Sequence, residues 1–195
     1  MKFFAPRVAQ FFAVLFLSAI VLMGCEAQID REFKKVAPFM GIVERAQFDS
    51  LPDSAANMMM KFVMEFPAHP QSQKMTVAAF RVAEKKGWMA KASEWSQFYV
   101  DQFNPTGDNL LEMLVLASFY HEQVGLYDKA IANYKRIKKE FKADGLKPNY
   151  RNLFEQSQIM LEMLEKGIVD PEKQSEYLMR KSGMDTATVV AEPAA

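Results

Sequence analysis

Apolar residues recur with a helical period along most of the chain, and one stripe of side chains occurs three times. Each copy has a small residue, a bulky residue seven positions later and a phenylalanine four positions after that. The copies are Ala55, Phe62 and Phe66; Ala92, Tyr99 and Phe103; and Ala130, Ile137 and Phe141. They lie about 37 to 38 residues apart, a spacing typical of stacked helix pairs. No segment of the domain shows convincing strand alternation, so the pattern predicts an all-α solenoid of antiparallel helix pairs.

Glycine, proline and short polar residues set the predicted helix boundaries. The predicted helices cover residues 54–66, 71–86, 88–103, 109–124, 126–141, 150–166 and 171–181. Three glycines are predicted to end helices: Gly87, Gly125 and Gly167. The predicted N-caps are Asp53 or Ser54, Asp108 and Asp170. The last helix, EKQSEYLMRK in its main part, suits the polar cap that ends a solenoid.

The flanks of this repeat domain, residues 53–181, have other patterns. In residues 25–52, helical spacing of apolar residues is interrupted by Pro38 and Gly41, which predicts a kinked or broken first helix joining a tether to the domain. Residues 182–195, SGMDTATVVAEPAA, are of low complexity and are predicted to be disordered.

The first 24 residues have the pattern of a secretory signal. Lys2 and Arg7 precede the apolar run 11–24, which ends at Cys25, the only cysteine. An uncleaved N-terminal anchor is the competing interpretation, because the run borders on the length of a membrane span. A lone cysteine has no disulfide partner within the chain, which fits a thiol consumed by lipid.

Residues 22–25, Leu-Met-Gly-Cys, resemble the lipoprotein box of bacterial lipoproteins, from which Met23 departs where Ala or Ser is usual. The resemblance implies cleavage before Cys25, a diacylglyceryl group on its thiol, and acylation of its amino group by a fatty acid such as palmitate. It places the mature chain in the cell envelope, facing the periplasm. Glu26 occupies the position that influences sorting in this class, so the membrane is less certain than the anchor; the outer membrane is favoured over the inner.

The best-marked segment resembles the tetratricopeptide repeat (TPR). The resemblance rests on Gly125, Tyr127, Ala130, Tyr134 and Ile137, with Ser118 at the small position of the first helix. The preceding copy keeps Gly87 and Ala92, but has Phe80 for a small residue and Ser96 for an aromatic one. The resemblance covers about residues 54–167. Repeats of this length behind a lipoprotein signal resemble the helical lipoprotein of the outer-membrane β-barrel assembly machinery and related envelope coordinators.

This resemblance implies a partner-binding groove on the first helix of each pair. The implied groove residues are Lys74, Val77, Arg81, Glu84, Glu112, Val115, Phe119 and Glu122. Mixed charge with an apolar strip suits an extended peptide or a partner helix. An ordinary solvated face is the alternative interpretation.

Charge argues against a nucleic-acid partner. Removing residues 1–24 leaves 22 basic and 24 acidic side chains, a net charge of about −2, whereas nucleic-acid binders normally carry a basic surplus. The densest basic run, residues 135–142, lies at the end of a predicted helix, where cations complement the helix dipole.

The candidate chemistry is sparse, so we predict no enzyme, cofactor, metal site or small-molecule substrate. His69 and His121 have no zinc-ligand spacing, and Gly125 occupies the position at which a metalloprotease helix starting at His121-Glu122 needs its second histidine. Met58, Met59, Met60 and Met64 invite a copper(I) interpretation. Helical spacing spreads the three consecutive methionines around the helix, which favours core filling or adaptable contacts.

These observations predict a lipid-anchored adaptor or scaffold that binds a protein partner. Three functional classes fit such an adaptor, and the favoured one is a subunit of an outer-membrane protein-assembly complex. The alternatives are a pilotin-like or secretion-system lipoprotein and a coordinator of cell-wall synthesis.

Overall fold

The computed structural model describes residues 26–182, and every regular element in that range is helical. The signal sequence, Cys25 and nearly all of the predicted tail lie outside the described residues. The helices are α1 (26–44), α2 (Ser54–Glu65), α3 (Ser72–Lys85), α4 (Met89–Phe103), α5 (Gly107–Gln123), α6 (Tyr127–Glu140), α7 (Pro148–Glu165) and α8 (Pro171–Lys181). Single 3₁₀ turns occur at Phe48–Ser50 and Ala143–Gly145. None of the helices within residues 26–182 combines the length and the apolar character that a membrane span needs.

The all-α prediction is confirmed, and the predicted boundaries agree closely with α2 to α8. Gly125 shows why: it has φ 75°, a left-handed conformation that suits glycine, and the N–H of Leu126 reaches back to the carbonyl of His121 at 2.7 Å. Gly167 repeats this arrangement after α7, where Ile168 N–H lies 2.9 Å from the Met163 carbonyl. A left-handed glycine therefore ends both α5 and α7 and turns the chain after them.

Of the predicted N-caps, only Asp170 makes the expected hydrogen bonds to the backbone. Asp170 is confirmed, because its carboxylate accepts from the N–H groups of Glu172 and Lys173. The prediction for Asp108 is wrong: α5 begins at Gly107, so Asp108 lies inside the first turn, and its carboxylate binds Lys147 Nζ at 2.8 Å. Asp53 precedes α2 but makes no cap hydrogen bond, and its carboxylate pairs with Lys86.

The first helix was predicted to be kinked or broken, and the structure contradicts the break. Residues 26–44 form one continuous helix that includes Pro38 and Gly41. A proline costs its own backbone hydrogen bond, but the apolar face of this helix is buried at Val36, Met40 and Val43. The burial of that face offsets the loss, and the chain stays helical.

The chain divides into two compact units, with the boundary between Lys86 and Gly87. This boundary falls at the predicted turn between the helices 71–86 and 88–103. In unit 1, α2 packs against α3, and the core includes Met59, Val63 and Met75.

In unit 2, α5 is the central helix. It packs against α4, α6 and α7, and α6 also packs against α7. Leu111, Leu114, Ile137 and Leu161 form part of the core. Helix α8 has no buried residue, and Lys181 ties it to Glu162 of α7 at 2.5 Å.

Candidate protein-binding surfaces

The repeated stripe is buried at its small and bulky positions in all three copies. The small residues Ala55, Ala92 and Ala130 are fully buried. The bulky residues are fully or almost fully buried: Phe62, Tyr99 and Ile137. The phenylalanines that close the stripes are half-buried. The stripe is therefore a packing feature, and the residues that can meet a partner lie on other faces.

Helix α5 presents one of the two predicted groove faces. Its opposite side is buried through Leu111, Leu114 and Ser118. On the outer side, Glu112 is exposed and Val115 is half-buried. Phe119 is 47% exposed although it is a large aromatic residue. The helical period thus separates a core face from a face with one prominent aromatic side chain.

Glu122, the last residue of this face, is held by Tyr134 of α6. The Tyr134 hydroxyl donates to Glu122 Oε1 at 2.7 Å. Burial raises the pKa of Glu122, and the hydrogen bond from Tyr134 opposes that effect. Burial also raises the pKa of Tyr134, and the neighbouring carboxylate adds to the increase. Glu122 consequently acts first as a link between α5 and α6, with its remaining surface on the outer face.

The other predicted groove residues belong to α3 in unit 1. Lys74, Arg81 and Glu84 are exposed, and Val77 is half-buried. Phe80, which replaces the small residue of the repeat pattern, is buried. The eight predicted residues thus form two surfaces, one in each unit, and none of the eight is buried.

A buried polar network in unit 2 was not foreseen from the sequence. The Ser93 hydroxyl lies 2.6 Å from His121 Nδ1, and His121 Nε2 lies 3.1 Å from Gln97 Oε1. Asn133 Nδ2 donates to the same Gln97 oxygen at 2.8 Å, and Gln97 Nε2 donates to Asp101 Oδ1 at 2.9 Å. Because Gln97 Oε1 is the acceptor, His121 carries its proton on Nε2, and Ser93 donates to Nδ1. The network joins α4, α5 and α6.

The surroundings of His121 favour its neutral form. Burial lowers its pKa, nearby Lys129 lowers it further, and Asp101 opposes both. Ser93 and His121 line a hollow of about 450 Å³ formed by α4, the end of α5 and the start of α6, and they are only 2% and 1% exposed. The network supplies hydrogen bonds to buried polar atoms and fixes how α4, α5 and α6 pack against one another.

The sequence did contain a signal for the burial of His121. Leu110, Leu114, Ala117 and His121 follow the i, i+4, i+7, i+11 spacing of one helical face, and the three apolar members are buried. The partners of His121 are on other helices, so no local pattern names them.

The methionines and the basic run have structural surroundings. Met59 and Met60 are buried, whereas Met58 and Met64 are exposed, so the four thioethers do not converge. Within residues 26–182, no group of three or more His, Cys, Asp or Glu side chains is arranged to hold a metal ion. In the basic run, Lys135 pairs with Glu165 at 3.0 Å and Arg136 with Glu140 at 2.8 Å.

No family model, curated protein or solved structure matches this chain.

Proposed function

We propose that this chain is a lipid-anchored adaptor on the periplasmic side of the outer membrane. It binds a protein partner within a complex that assembles outer-membrane proteins. Cys25 carries the anchor, and a short TPR-like solenoid of helix pairs carries the binding surface.

The single observation that carries the proposal is the outer face of α5. Phe119 is 47% exposed on a helix whose other side is fully packed, with Val115 one turn before it. Exposed aromatic side chains are common anchors in protein interfaces. The flanking carboxylates Glu112 and Glu122 surround this apolar strip with polar groups, as in the rim of an interface. An extended peptide or a partner helix fits such a strip.

The helix packing of unit 2 supports the solenoid part of the proposal. In a TPR-like array, the first helix of a pair touches its own partner helix and the first helix of the next pair. Helix α5 packs against both α6 and α7 in this way. The small residues that the repeat needs at the closest approach, Ser118 and Ala130, are fully buried.

A photocrosslinking experiment tests the partner. A benzophenone amino acid replaces Phe119 in the full-length lipoprotein in its native membrane, and the same probe at exposed Lys139 of α6 is the control. We expect position 119 to capture a component of an outer-membrane assembly complex that position 139 does not capture. Capture of a pilus or secretion-ring component, or of a peptidoglycan synthase, would instead support the corresponding alternative class. Identical adducts at both positions would contradict the proposed surface.

The anchor has its own test. Cys25→Ser should release the protein from the membrane or leave an unprocessed precursor, because two or three acyl chains provide essentially permanent attachment. Mass spectrometry of the N-terminal peptide reports the acylation. Unchanged acylation of the variant would exclude Cys25 as the site, whatever the result at position 119.

A further inference from the structure

Unit 1 contains an apolar hollow of about 540 Å³ beside the first described turns of α1. Ile29 of α1 and the loop residues Phe66, Pro67, Ala68 and Pro70 provide its apolar lining. Ala68 and Pro70 are exposed and the other three are half-buried, so the hollow opens to solvent. An open apolar hollow of this size can receive one or two side chains of a partner.

The loop that forms the hollow is held in place before any ligand arrives. The Ser72 hydroxyl donates to the Phe66 carbonyl at 2.7 Å, and the N–H of His69 donates to the same carbonyl at 3.0 Å. The N–H of Gln71 donates to His69 Nδ1 at 3.2 Å. The His69 ring also packs against Phe33, with 4.7 Å between the ring centres. Two prolines restrict the loop further, and a restrained loop loses little entropy on binding.

Among residues 26–182, the carboxylates that line the hollow are Glu26, Asp30 and Glu65, no lysine or arginine lines it, and His69 is the other titratable lining residue. All three acidic residues are exposed, so they remain hydrated and available at the rim. Glu65 lies 3.8 Å from Lys61, an exposed pair that contributes little and that a competing cation can replace. The rim therefore has a negative potential around an apolar floor.

We propose that this hollow binds a segment of a partner protein that presents an apolar side chain next to lysine or arginine. The apolar side chain enters between Ile29 and the 66–70 loop, and its cationic neighbours meet the three carboxylates. Complementary charge selects the partner and speeds its association, while apolar burial holds it. This inference is independent of the α3 and α5 faces.

The test measures binding of a defined probe to the full-length chain in a nonionic detergent. The probe is a fluorescein-labelled peptide of alternating lysine and leucine, followed by fluorescence anisotropy and corrected for binding to protein-free micelles. Two control peptides carry glutamate in place of lysine or serine in place of leucine. We expect saturable binding of the lysine–leucine peptide that weakens as salt is added, and little binding of either control peptide.

Matched variants locate the binding. The charge-removing variant is Glu26→Gln/Asp30→Asn/Glu65→Gln, and the control Glu44→Gln/Glu155→Gln/Glu172→Gln changes the net charge by the same amount at exposed positions elsewhere. We expect the first variant to bind about tenfold more weakly and to lose most of the salt dependence, with the control unchanged. Ala68→Arg, which places a cation at the hollow, should reduce binding at least as much. Circular dichroism checks that every variant is folded.

Three results would overturn the proposal. The first is equal affinity for both triple variants, and the second is equal binding of the glutamate peptide. The third is displacement of the bound peptide by a fatty acid such as palmitate, which would identify an acyl chain as the natural occupant. Replacing Phe119 by Ala should leave this binding unchanged, so failure here is distinguishable from failure of the α5 surface.

Discussion

The two compact units bury different chemistry. The fully buried side chains of unit 1 include Met59, Val63 and Met75. Its buried hydroxyl groups, on Ser72 and Thr76, donate to backbone carbonyls only four to six residues earlier in the chain. Unit 2 buries His121 and Ser93 among its leucines and connects them across three helices.

This difference indicates which interactions determine the packing of each core. Methionine and valine contacts are non-directional, and the flexible thioether adapts to irregular spaces, so unit 1 depends on filled volume. Hydrogen bonds need particular atoms at particular distances, so the network of unit 2 also fixes the register between α4, α5 and α6. Unit 1 should respond to changes of volume, and unit 2 to changes of polarity and pH.

The largest expected effect is from a volume change in unit 1. Met59→Ala should lower the free energy of unfolding of α2 and α3 by about 2 to 5 kcal/mol, because a fully buried side chain leaves a cavity. Met58→Ala, at the adjacent exposed position, should change it by less than about 0.5 kcal/mol. Hydrogen exchange of peptides from α2 and α3 measures both. Equal effects at the two positions would mean that unit 1 is not held by packing.

The next effect is from breaking the network in unit 2. His121→Ala should cost about 2 to 3 kcal/mol, because it leaves the partners of the imidazole without their buried hydrogen bonds. Both tryptophans of the chain, Trp88 and Trp95, lie in unit 2, so denaturant unfolding followed by tryptophan fluorescence reports this unit. Gln123→Ala on the exposed side of the same helix is the control. A loss as small as that of the control would show that the network adds nothing to stability.

The smallest effect is a pH dependence confined to unit 2. The lowered pKa of His121 means that the unfolded chain binds a proton more readily than the folded one. The stability contributed by neutral His121 is fully present above the unfolded pKa of about 6.5, and it is lost as pH falls below that value towards the folded pKa.

His121→Gln isolates this contribution, because glutamine keeps hydrogen-bonding capacity but does not titrate. The difference in unfolding free energy between wild type and His121→Gln should shift against wild type as the pH falls from 8 to 5. Titrating groups that both proteins share, Glu122 among them, cancel in this comparison. A difference that stays constant across the range would exclude His121 as the titrating group.

Much of the secondary structure could be predicted from local chemistry. A left-handed glycine, or a capping residue followed by proline, marks a helix boundary through interactions among a few neighbouring residues. The boundaries predicted at Gly125, Gly167 and Asp170 are therefore confirmed. The prediction failed where distant contacts decided the outcome. Burial of Val36 and Met40 keeps α1 continuous through Pro38.

The candidate surfaces were only partly accessible to sequence reasoning. The tetratricopeptide resemblance implied an outer position for Phe119, which is exposed, and the repeated stripe contains Ala130, which is buried. The pairing of Ser93 with His121 spans 28 residues, and that of Asn133 with Gln97 spans 36. Such pairs depend on how helices meet, which a periodic pattern does not encode.

The split of the methionines on α2 has a consequence for oxidative damage. Oxidants reach exposed thioethers first, and conversion to the sulfoxide makes an apolar side chain polar. Met58 and Met64 are exposed, so their oxidation changes only the surface of the helix, while Met59 and Met60 are shielded as long as the helix stays packed. Oxidation of the outer methionines would therefore leave the packing of α2 unchanged, whereas a sulfoxide at Met59 or Met60 would place a polar group in the core.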